Sequence, residues 1–466
     1  MREVCMLICF EALYNLFLYV SIFFTIFILK YRPYAIKWVY ILLYVILYML
    51  VGLFSLNVFF NFYFNPIFFN YLSIYSVTQF NGATFLFLFL AVNIAIIILH
   101  IINSKIFINR SLFLINIFVL LTLFHGFFFE KNVFLVFLYY ECLLIPSYLL
   151  IFFLSPNQRF LVVSIYFLIW TQIGSFLVFI AISYLYLYYG ISFNLMHVNF
   201  SILENNILFC LIYFGFGIKI PIWPFFYWLT KTHVEAPSFF SIYLSGFLVK
   251  TAVLGFYKFV KFFFITYVTN YLLLFVVFSI LDSSLKLWIQ VDLKKLVAFC
   301  TVQEMNLIFF LVFFNTTNTF VVIALFSLTH AFLSALFFYL VDVIYRLYHT
   351  RLIFNLTGLL IIAPLLSFFV YIGLILYNGL PFTLKFLVEL YTLHILLDFN
   401  FYIYINILLV ANWLGCIGLA KNWLNILFSA PQWYSNINDL NKKEFLLLSY
   451  FCTVLVVGIQ LTFVIF

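Results

Sequence analysis

The chain is long, strongly apolar and poor in charge. Of its 466 residues, 68% are hydrophobic and 8% are charged, and its mean hydropathy is +1.23. This composition excludes a water-soluble domain. Apolar runs of about 20 residues recur from end to end, the length with which an α-helix crosses roughly 30 Å of hydrocarbon. We therefore predict an all-α polytopic membrane protein. The formal charge of +8 does not indicate nucleic-acid binding, because the basic residues are scattered between apolar runs, where they set orientation.

Hydropathy and length predict about fourteen transmembrane spans. The first run, Val4–Leu29, is expected to be retained as a helix, because it is too long for a signal-peptide core and no small-residue cleavage site follows it. Residues 57–82 form a connection without an assignment. In order, the predicted spans are 5–29, 38–56, 83–103, 111–129, 132–154, 160–187, 206–229, 236–260, 265–288, 294–314, 318–345, 355–397 (interrupted), 401–424 and 445–466.

The basic residues are distributed unequally between the two sets of connections. Only Lys131, Lys258 and Lys261 follow even-numbered spans. By the positive-inside rule, the connections after odd-numbered spans face the matrix or cytoplasm, and both termini face the opposite side. The basic residues after odd-numbered spans are Lys30, Arg32, Lys37, Lys105, Arg110, Arg159, Lys231, Lys294, Lys295, Arg346, Arg351, Lys421, Lys442 and Lys443.

The segment 215–250 combines a lysine with a predicted helix break. Lys219 lies inside an apolar run and is followed by Pro221 and Pro224. A proline removes one helical hydrogen bond and rejects the carbonyl four residues earlier, so the carbonyls of Gly217 and Ile220 are expected to lose their usual partners. Interrupted helices at membrane depth are typical of ion-transport sites.

Ionisable residues inside membrane spans are costly and are functional candidates by default. Glu141 and Lys219 lie deep within spans 5 and 7, so we predict a functional role for both. For Lys286, Asp342 and Lys385 we favour the structural interpretation, in which helix-end groups extend to the membrane interface. Further charged residues in predicted spans include Lys250, Asp282, Glu304 and Glu389.

A second predicted break, at Gly379 and Pro381, precedes Glu389 in span 12. Paired broken helices in two halves are typical of inverted repeats, although chance spacing is an alternative. We predict two inverted five-helix repeats with discontinuous helices 7 and 12. The predicted divisions are 1–110 (helices 1–3), 111–260 (helices 4–8), 265–424 (helices 9–13) and 425–466 (helix 14).

Other motifs argue against cofactors in this chain. The spacing of His233 and Glu235 does not suit a metal site, so we expect them to fix the connection between spans 7 and 8, with Pro237 starting the next helix. The seven cysteines contain no CxxC pair, and no nucleotide-binding glycine motif is present. We expect no flavin, nucleotide, metal or cluster in this chain.

Five stretches resemble the antiporter-like, proton-translocating subunits of respiratory complex I, and among these they favour the branch called subunit 4 in mitochondria. The first is PIWPFFYWLTKTHVEAP, followed by a helix with a second lysine, Lys250. The resemblance covers residues 80–466, and residues 1–79 are assigned by hydropathy alone. The 70 Phe and 34 Tyr residues are typical of an AT-rich organellar gene. The other stretches are YYECLLIPSYLLI (139–151), QVDLKKLVAF (290–299), THAFLSALF with YHTRL (329–352) and GLPFTLKFLVEL (379–390).

The resemblance implies a subunit without redox groups, in the mitochondrial inner membrane, that couples NADH-to-quinone electron transfer in other subunits to proton pumping. It implies a charge pair between Glu141 and Lys219, and a relay through Lys250 and His330 to a terminal carboxylate, Glu389. Its implied partners are lipids, the subunit 2-like and subunit 5-like antiporter subunits, and the lateral helix of subunit 5.

The sequence departs from this family at the centre of the implied relay. Glu304 stands where relatives have a histidine, and Phe226 replaces another usual histidine. Two alternatives therefore stay open. One is a subunit of a multicomponent Na⁺/H⁺ antiporter, against which the DLKK, YHTR and DLNKKEF stretches weigh. The other is a structural membrane subunit whose channel has decayed, against which the retained buried charges weigh.

Overall fold

The computed structural model describes residues 132–153, 158–189, 201–260, 267–314, 317–430 and 439–465, together with single positions between 116 and 130 and at 263. Over these residues the chain forms fifteen α-helices. The predicted spans 1–3, most of span 4 and the connection 57–82 lie outside the described residues.

The helices are named here in chain order. A π-helical turn, Leu244–Leu248, joins α6 to α7, and a 3-10 turn, Ile353–Asn355, follows α10. The helices are α1 Val133–Cys142, α2 Leu144–Phe153, α3 Gln158–Tyr189, α4 Ile202–Lys219, α5 Tyr227–Glu235, α6 Ser238–Tyr243, α7 Val249–Val260, α8 Tyr267–Lys286, α9 Leu293–Val312, α10 Thr317–Tyr348, α11 Leu359–Ile362, α12 Pro364–Tyr377, α13 Leu384–Asp398, α14 Tyr402–Phe428 and α15 Lys442–Ile465.

The prediction of an all-helical membrane protein is confirmed. Eight helical segments in the described part of the chain are long and apolar enough to cross a membrane. Three of them, Ser238–Val260, Leu293–Val312 and Thr319–Tyr348, have apolar windows that are 94% buried inside the chain, whereas the window in Tyr402–Phe428 is 28% buried. The protein core therefore lies around α6–α7, α9 and α10, and α14 lies at the outside.

The first predicted helix break lies between α4 and α5. The Gly217 carbonyl, which Pro221 prevents from making its usual helical bond, accepts a hydrogen bond from the Ile222 N–H at 3.0 Å. The indole of Trp228 donates to the Ile218 carbonyl at 2.7 Å, and Asn306 on α9 donates to the Pro221 carbonyl at 3.2 Å. Two side chains and one backbone N–H thus provide hydrogen bonds to the carbonyls of Gly217, Ile218 and Pro221, as burial in an apolar medium requires.

The second predicted break lies between α12 and α13. Gly379 has a φ of +64°, the left-handed region that glycine adopts without steric cost. The hydroxyl of Thr383 accepts a hydrogen bond from the Phe386 N–H at 3.3 Å and caps the new helix. α13 therefore starts a fresh set of backbone bonds and carries Glu389 on its second turn.

Two basic side chains donate hydrogen bonds to the backbone of the HVEAP connection, between α5 and α6. Lys294 Nζ donates to the Ala236 carbonyl at 2.6 Å, and Arg351 donates to the Val234 carbonyl at 2.6 Å. These bonds hold the HVEAP connection between α5 and α6. Pro237 caps α6, which begins one residue later, at Ser238, rather than at the proline itself.

Candidate functional site

Five of the buried ionisable side chains in the described part of the chain belong to the predicted relay or contact one of its members. Burial of this many ionisable groups in an apolar bundle costs several kcal/mol for each one that lacks a partner. Their partners therefore decide what the site can do. The five, with their exposed fractions, are Lys219 on α4 (6%), Lys250 on α7 (2%), Glu304 on α9 (3%), His330 on α10 (1%) and Lys385 on α13 (5%).

Glu304 joins three helices through its two carboxylate oxygens. Oε1 accepts a hydrogen bond from Lys385 Nζ at 2.6 Å, and Oε2 lies 2.7 Å from His330 Nδ1. The remaining ring nitrogen of His330 is buried and has no protein partner. The Glu304 carboxylate is thus held between two basic side chains, at a position where the resemblance implies a histidine.

Lys385 continues this cluster to Glu389. Its Nζ lies 3.9 Å from Glu389 Oε1, one helical turn later on α13, and 3.7 Å from the centroid of the Tyr377 ring. The expectation that Lys385 extends to the membrane interface is wrong, because Glu304 draws its ammonium group into the bundle. The Glu389 side chain is 27% exposed, so the cluster reaches the outside of the chain.

Glu389 packs directly against the second helix break. A Cβ atom added at Gly379 would lie 3.0 Å from Glu389 Oε2. The Glu389 carboxylate therefore packs in the space that a side chain at residue 379 would occupy. The break and the terminal carboxylate of the predicted relay form one structural unit.

Lys250 lies beside the π-helical turn. Its Nζ donates to the carbonyl of Ser245, and the side chain lies close enough to Glu304 and His330 to interact with both electrostatically. A π-helical turn displaces backbone carbonyls from the regular helical ladder and is frequent at functional sites. The turn thus supplies a buried acceptor for an ammonium group in the middle of the bundle.

The predicted direct pair between Glu141 and Lys219 is not formed in this structure. Lys219 Nζ lies 3.5 Å from the centroid of the Tyr140 ring and has no hydrogen-bond acceptor. Glu141 accepts a hydrogen bond of 3.4 Å from Gln172, and its other oxygen is buried without a partner. The two charges still interact, because Tyr140 and Glu141 are neighbours on α1. The pair is therefore open.

His233, from the HVEAP motif, is buried and has no hydrogen-bond partner on either ring nitrogen. Its ring stacks on Phe338 with centroids 4.7 Å apart. Phe226, where the resemblance implies another histidine, is fully buried, and Lys286 Nζ lies 4.2 Å from the centroid of its ring. His233 packs as part of the core between the HVEAP connection and α10.

Lys286 and Asp342 lie near helix ends. Lys286 pairs with Asp282 at 2.5 Å on the same helix, while Asp342 pairs with Arg346 at 3.3 Å and accepts from Ser238 at 2.7 Å. Their side chains are 25% and 21% exposed, respectively. This placement agrees with the structural interpretation that we favoured for both.

Lys385 is the site residue that sequence reasoning missed. Two signals were available: it stands four residues before Glu389, and it follows Glu304 by 81 residues, whereas Lys219 follows Glu141 by 78. Residues four apart on a helix lie on one face. The sequence gives no comparable signal for Tyr140 or Ser245. Tyr140 contacts Lys219 through the face of its ring, and Ser245 contacts Lys250 through its backbone carbonyl.

Comparison with known proteins agrees with this arrangement. The family model described as "NADH:quinone oxidoreductase/Mrp antiporter, TM" matches residues 130–415. NADH-ubiquinone oxidoreductase chain 4 of Paramecium tetraurelia is 39% identical over 312 residues, which span 66% of each chain. The chain of the same name from Chondrus crispus is 28% identical over 401 residues, covering 84% of this chain and 80% of that one.

Two solved structures share the fold. A chain of the membrane-bound sulfane sulfur reductase, an archaeal respiratory membrane complex, matches with a TM-score of 0.81 at 16% identity, covering 97% of this chain and 94% of that one. A chain of the Mrp complex from Dietzia sp. DQ12-45-1b matches with a TM-score of 0.79 at 14% identity, covering 98% and 96%. At these identities the match concerns the fold alone.

The helical bundle with two broken helices and a buried line of ionisable groups defines an antiporter-like membrane subunit. The chain belongs to the family of NADH:quinone oxidoreductase and Mrp antiporter membrane subunits, whose model matches more than half of its length. Within that family, the predicted resemblance to subunit 4 of mitochondrial complex I is confirmed by the relatives that carry this name.

Proposed function

We propose that this chain is a proton-translocating membrane-arm subunit of respiratory complex I in the mitochondrial inner membrane. The observation that carries the proposal is the burial of four ionisable side chains, Lys219, Lys250, His330 and Glu304, inside an apolar bundle. Such groups are retained in lipid where they bind and release protons. The names of the sequence relatives support the same assignment.

In the proposed relay, Glu141 and Lys219 form the switchable entry pair. At about 4 Å and an effective dielectric of about 20, two unit charges interact by about 4 kcal/mol, and one pKa unit corresponds to about 1.4 kcal/mol. Closing or opening the pair is therefore enough to load or release one proton. Protons then pass from Lys219 through Lys250, His330 and Glu304 to Glu389, with water bridging the gaps.

A pair of substitutions tests this function. Lys219→Ala and Glu141→Gln each remove one member of the entry pair without touching the redox partners. In assembled complex, we expect both variants to lose NADH-driven proton uptake, measured with a pH-sensitive dye in sealed vesicles. Fully coupled quinone reduction and pumping in both variants would refute the proposed function.

The finer architecture belongs to the same proposal. It comprises fourteen spans with two inverted five-helix repeats, basic connections on the matrix side and both termini in the intermembrane space. Supporting it, the two observed breaks lie in the seventh and twelfth predicted spans. The redox groups would be held by other subunits, since the chain carries no motif for flavin, nucleotide or cluster. Its neighbours would be the subunit 2-like and subunit 5-like antiporter subunits and the lateral helix of subunit 5.

A further inference from the structure

In the described part of the chain, each proposed repeat contains a glutamate and a lysine that lie on separate helices and interact with each other. Glu141 and Lys219 lie on the fifth and seventh predicted spans, and Glu304 and Lys385 lie on the tenth and twelfth. With five spans in each repeat, the second pair occupies the helices that correspond to those of the first. Each lysine also lies against a tyrosine ring, at 3.5 Å for Lys219 and 3.7 Å for Lys385.

The two pairs are in opposite states. In the first, neither Lys219 Nζ nor Glu141 Oε1 has a hydrogen-bond partner. In the second, Lys385 Nζ and Glu304 Oε1 are in contact at 2.6 Å. A closed pair holds its proton on the lysine, whereas an open pair leaves the ammonium group without a counter-charge and favours proton release.

We propose that Lys385 is the proton-loading residue of the second repeat, and that it exchanges its proton with Glu389 when Glu304 turns from Lys385 to His330. This inference rests on the proposed function and adds to it a residue that the family resemblance does not supply. It also accounts for Glu304, because a carboxylate at this position gives Lys385 its counter-charge.

The contacts define the proton step. A proton that arrives on His330 makes the ring an imidazolium, which competes through the 2.7 Å contact for the Glu304 carboxylate. Lys385 then loses its counter-charge and is left 3.9 Å from Glu389 Oε1. The N–H bond of its ammonium breaks, an O–H bond forms on Glu389, and Lys385 becomes a neutral amine. The proton on His330 then passes through Glu304 to Lys385 and restores the closed pair.

The substitution Lys385→Arg separates proton transfer from charge pairing. Arginine keeps the positive charge that Glu304 requires, but its guanidinium group does not release a proton in proteins. In assembled complex, we expect normal assembly, a melting temperature close to that of the wild type, and a fall in proton uptake per NADH oxidised of at least about ten-fold, since positioned proton-transfer groups contribute about 10²–10⁴-fold to rate. Lys385→Gln should in addition lower the melting temperature, because it leaves a buried carboxylate short of a partner.

Lys286→Arg is the matched control. Lys286 also pairs with a carboxylate four residues away, Asp282, but lies outside the proposed relay, so its variant should pump at the wild-type rate. Wild-type pumping by Lys385→Arg would overturn the inference. If Lys385→Arg does not assemble, the neutral double variant Glu304→Gln/Lys385→Gln takes its place, and wild-type pumping by that variant would be equally fatal.

The Lys219→Ala and Glu141→Gln variants, measured in the same vesicles, separate this inference from the proposed function. If they pump normally, the proposed function itself fails. If they lose pumping while Lys385→Arg retains it, the chain is a pump and only the role of Lys385 is wrong.

Discussion

Glu304, which stands where the family resemblance implies a histidine, lies between two basic side chains. A carboxylate without partners in the core of a membrane bundle would be strongly destabilising. Here each oxygen has a basic partner, Lys385 at 2.6 Å and His330 at 2.7 Å. At a position where the family resemblance implies a histidine, the glutamate is therefore paired with a lysine on another helix, and contacts join His330, Glu304, Lys385 and Glu389 in sequence.

Gly379 provides a residue-level test of the terminal carboxylate. We expect Gly379→Ala to reduce proton uptake strongly, because the added Cβ would lie 3.0 Å from Glu389 Oε2 and the φ of +64° is unfavourable for alanine by about 1–2 kcal/mol. Gly358→Ala is the control, since Gly358 has a φ of +70° at the start of α11, away from Glu389. Pumping and melting temperature should be compared in both. Equal pumping by the two variants would mean that contact with Glu389 is unimportant.

At the scale of elements, the two interrupted helices depend on particular hydrogen bonds. Backbone groups freed at membrane depth must find partners within the protein. At the first break these are the Trp228 indole, the Asn306 amide and the Ile222 N–H. The break is thus a fixed structure, and Lys219 stands at its edge as the last residue of α4.

The contribution of the Trp228 hydrogen bond to stability can be measured by comparing two buried tryptophans, Trp228 and Trp423. Trp228→Phe removes the 2.7 Å bond to the Ile218 carbonyl and should cost about 1–3 kcal/mol for the unsatisfied buried acceptor, beyond the loss of ring atoms. Trp423→Phe removes similar ring atoms from a fully buried site whose indole N–H has no acceptor. Thermal melting of the purified complex should therefore show a larger loss for Trp228→Phe. If the two shifts are equal, the bond does not stabilise the break.

At the scale of the whole molecule, the proposed orientation in the membrane rests on the distribution of basic residues between the connections and not on helix packing. His349 follows α10 and Asn400 follows α13, and both are exposed with φ values of 55° and 59°. In the proposed orientation they lie on opposite faces of the membrane. We expect a membrane-impermeant maleimide to label His349→Cys only from the matrix side and Asn400→Cys only from the other side.

The wild-type chain gives the background for this labelling, since it contains cysteines of its own. Inside-out submitochondrial particles expose the matrix face and mitoplasts expose the other. The two cysteine variants share a left-handed backbone, so any loss of stability should be similar. Labelling of both from one face would contradict the proposed orientation.

Fold class and helix positions were predictable because they depend on local hydrophobicity. Spans 5–11, 13 and 14 agree with observed helices, and both breaks occur where proline and glycine interrupt apolar runs. Contact partners were less predictable. Lys385 was predicted to extend to the interface because it lies close to a helix break, whereas its actual partner, Glu304, lies 81 residues earlier.

The sequence by itself determined that the chain spans a membrane, where its helices break and which ionisable groups lie within its spans. Each of these features depends on local sequence alone: the length of an apolar run, the proline or glycine that interrupts it, and the charged residue inside it. Only the tertiary structure decided the pairing: Glu141 and Lys219 are apart, while His330, Glu304, Lys385 and Glu389 form a row. Helix packing determines which charged side chains on separate helices come into contact, and no local sequence pattern relates those residues to each other.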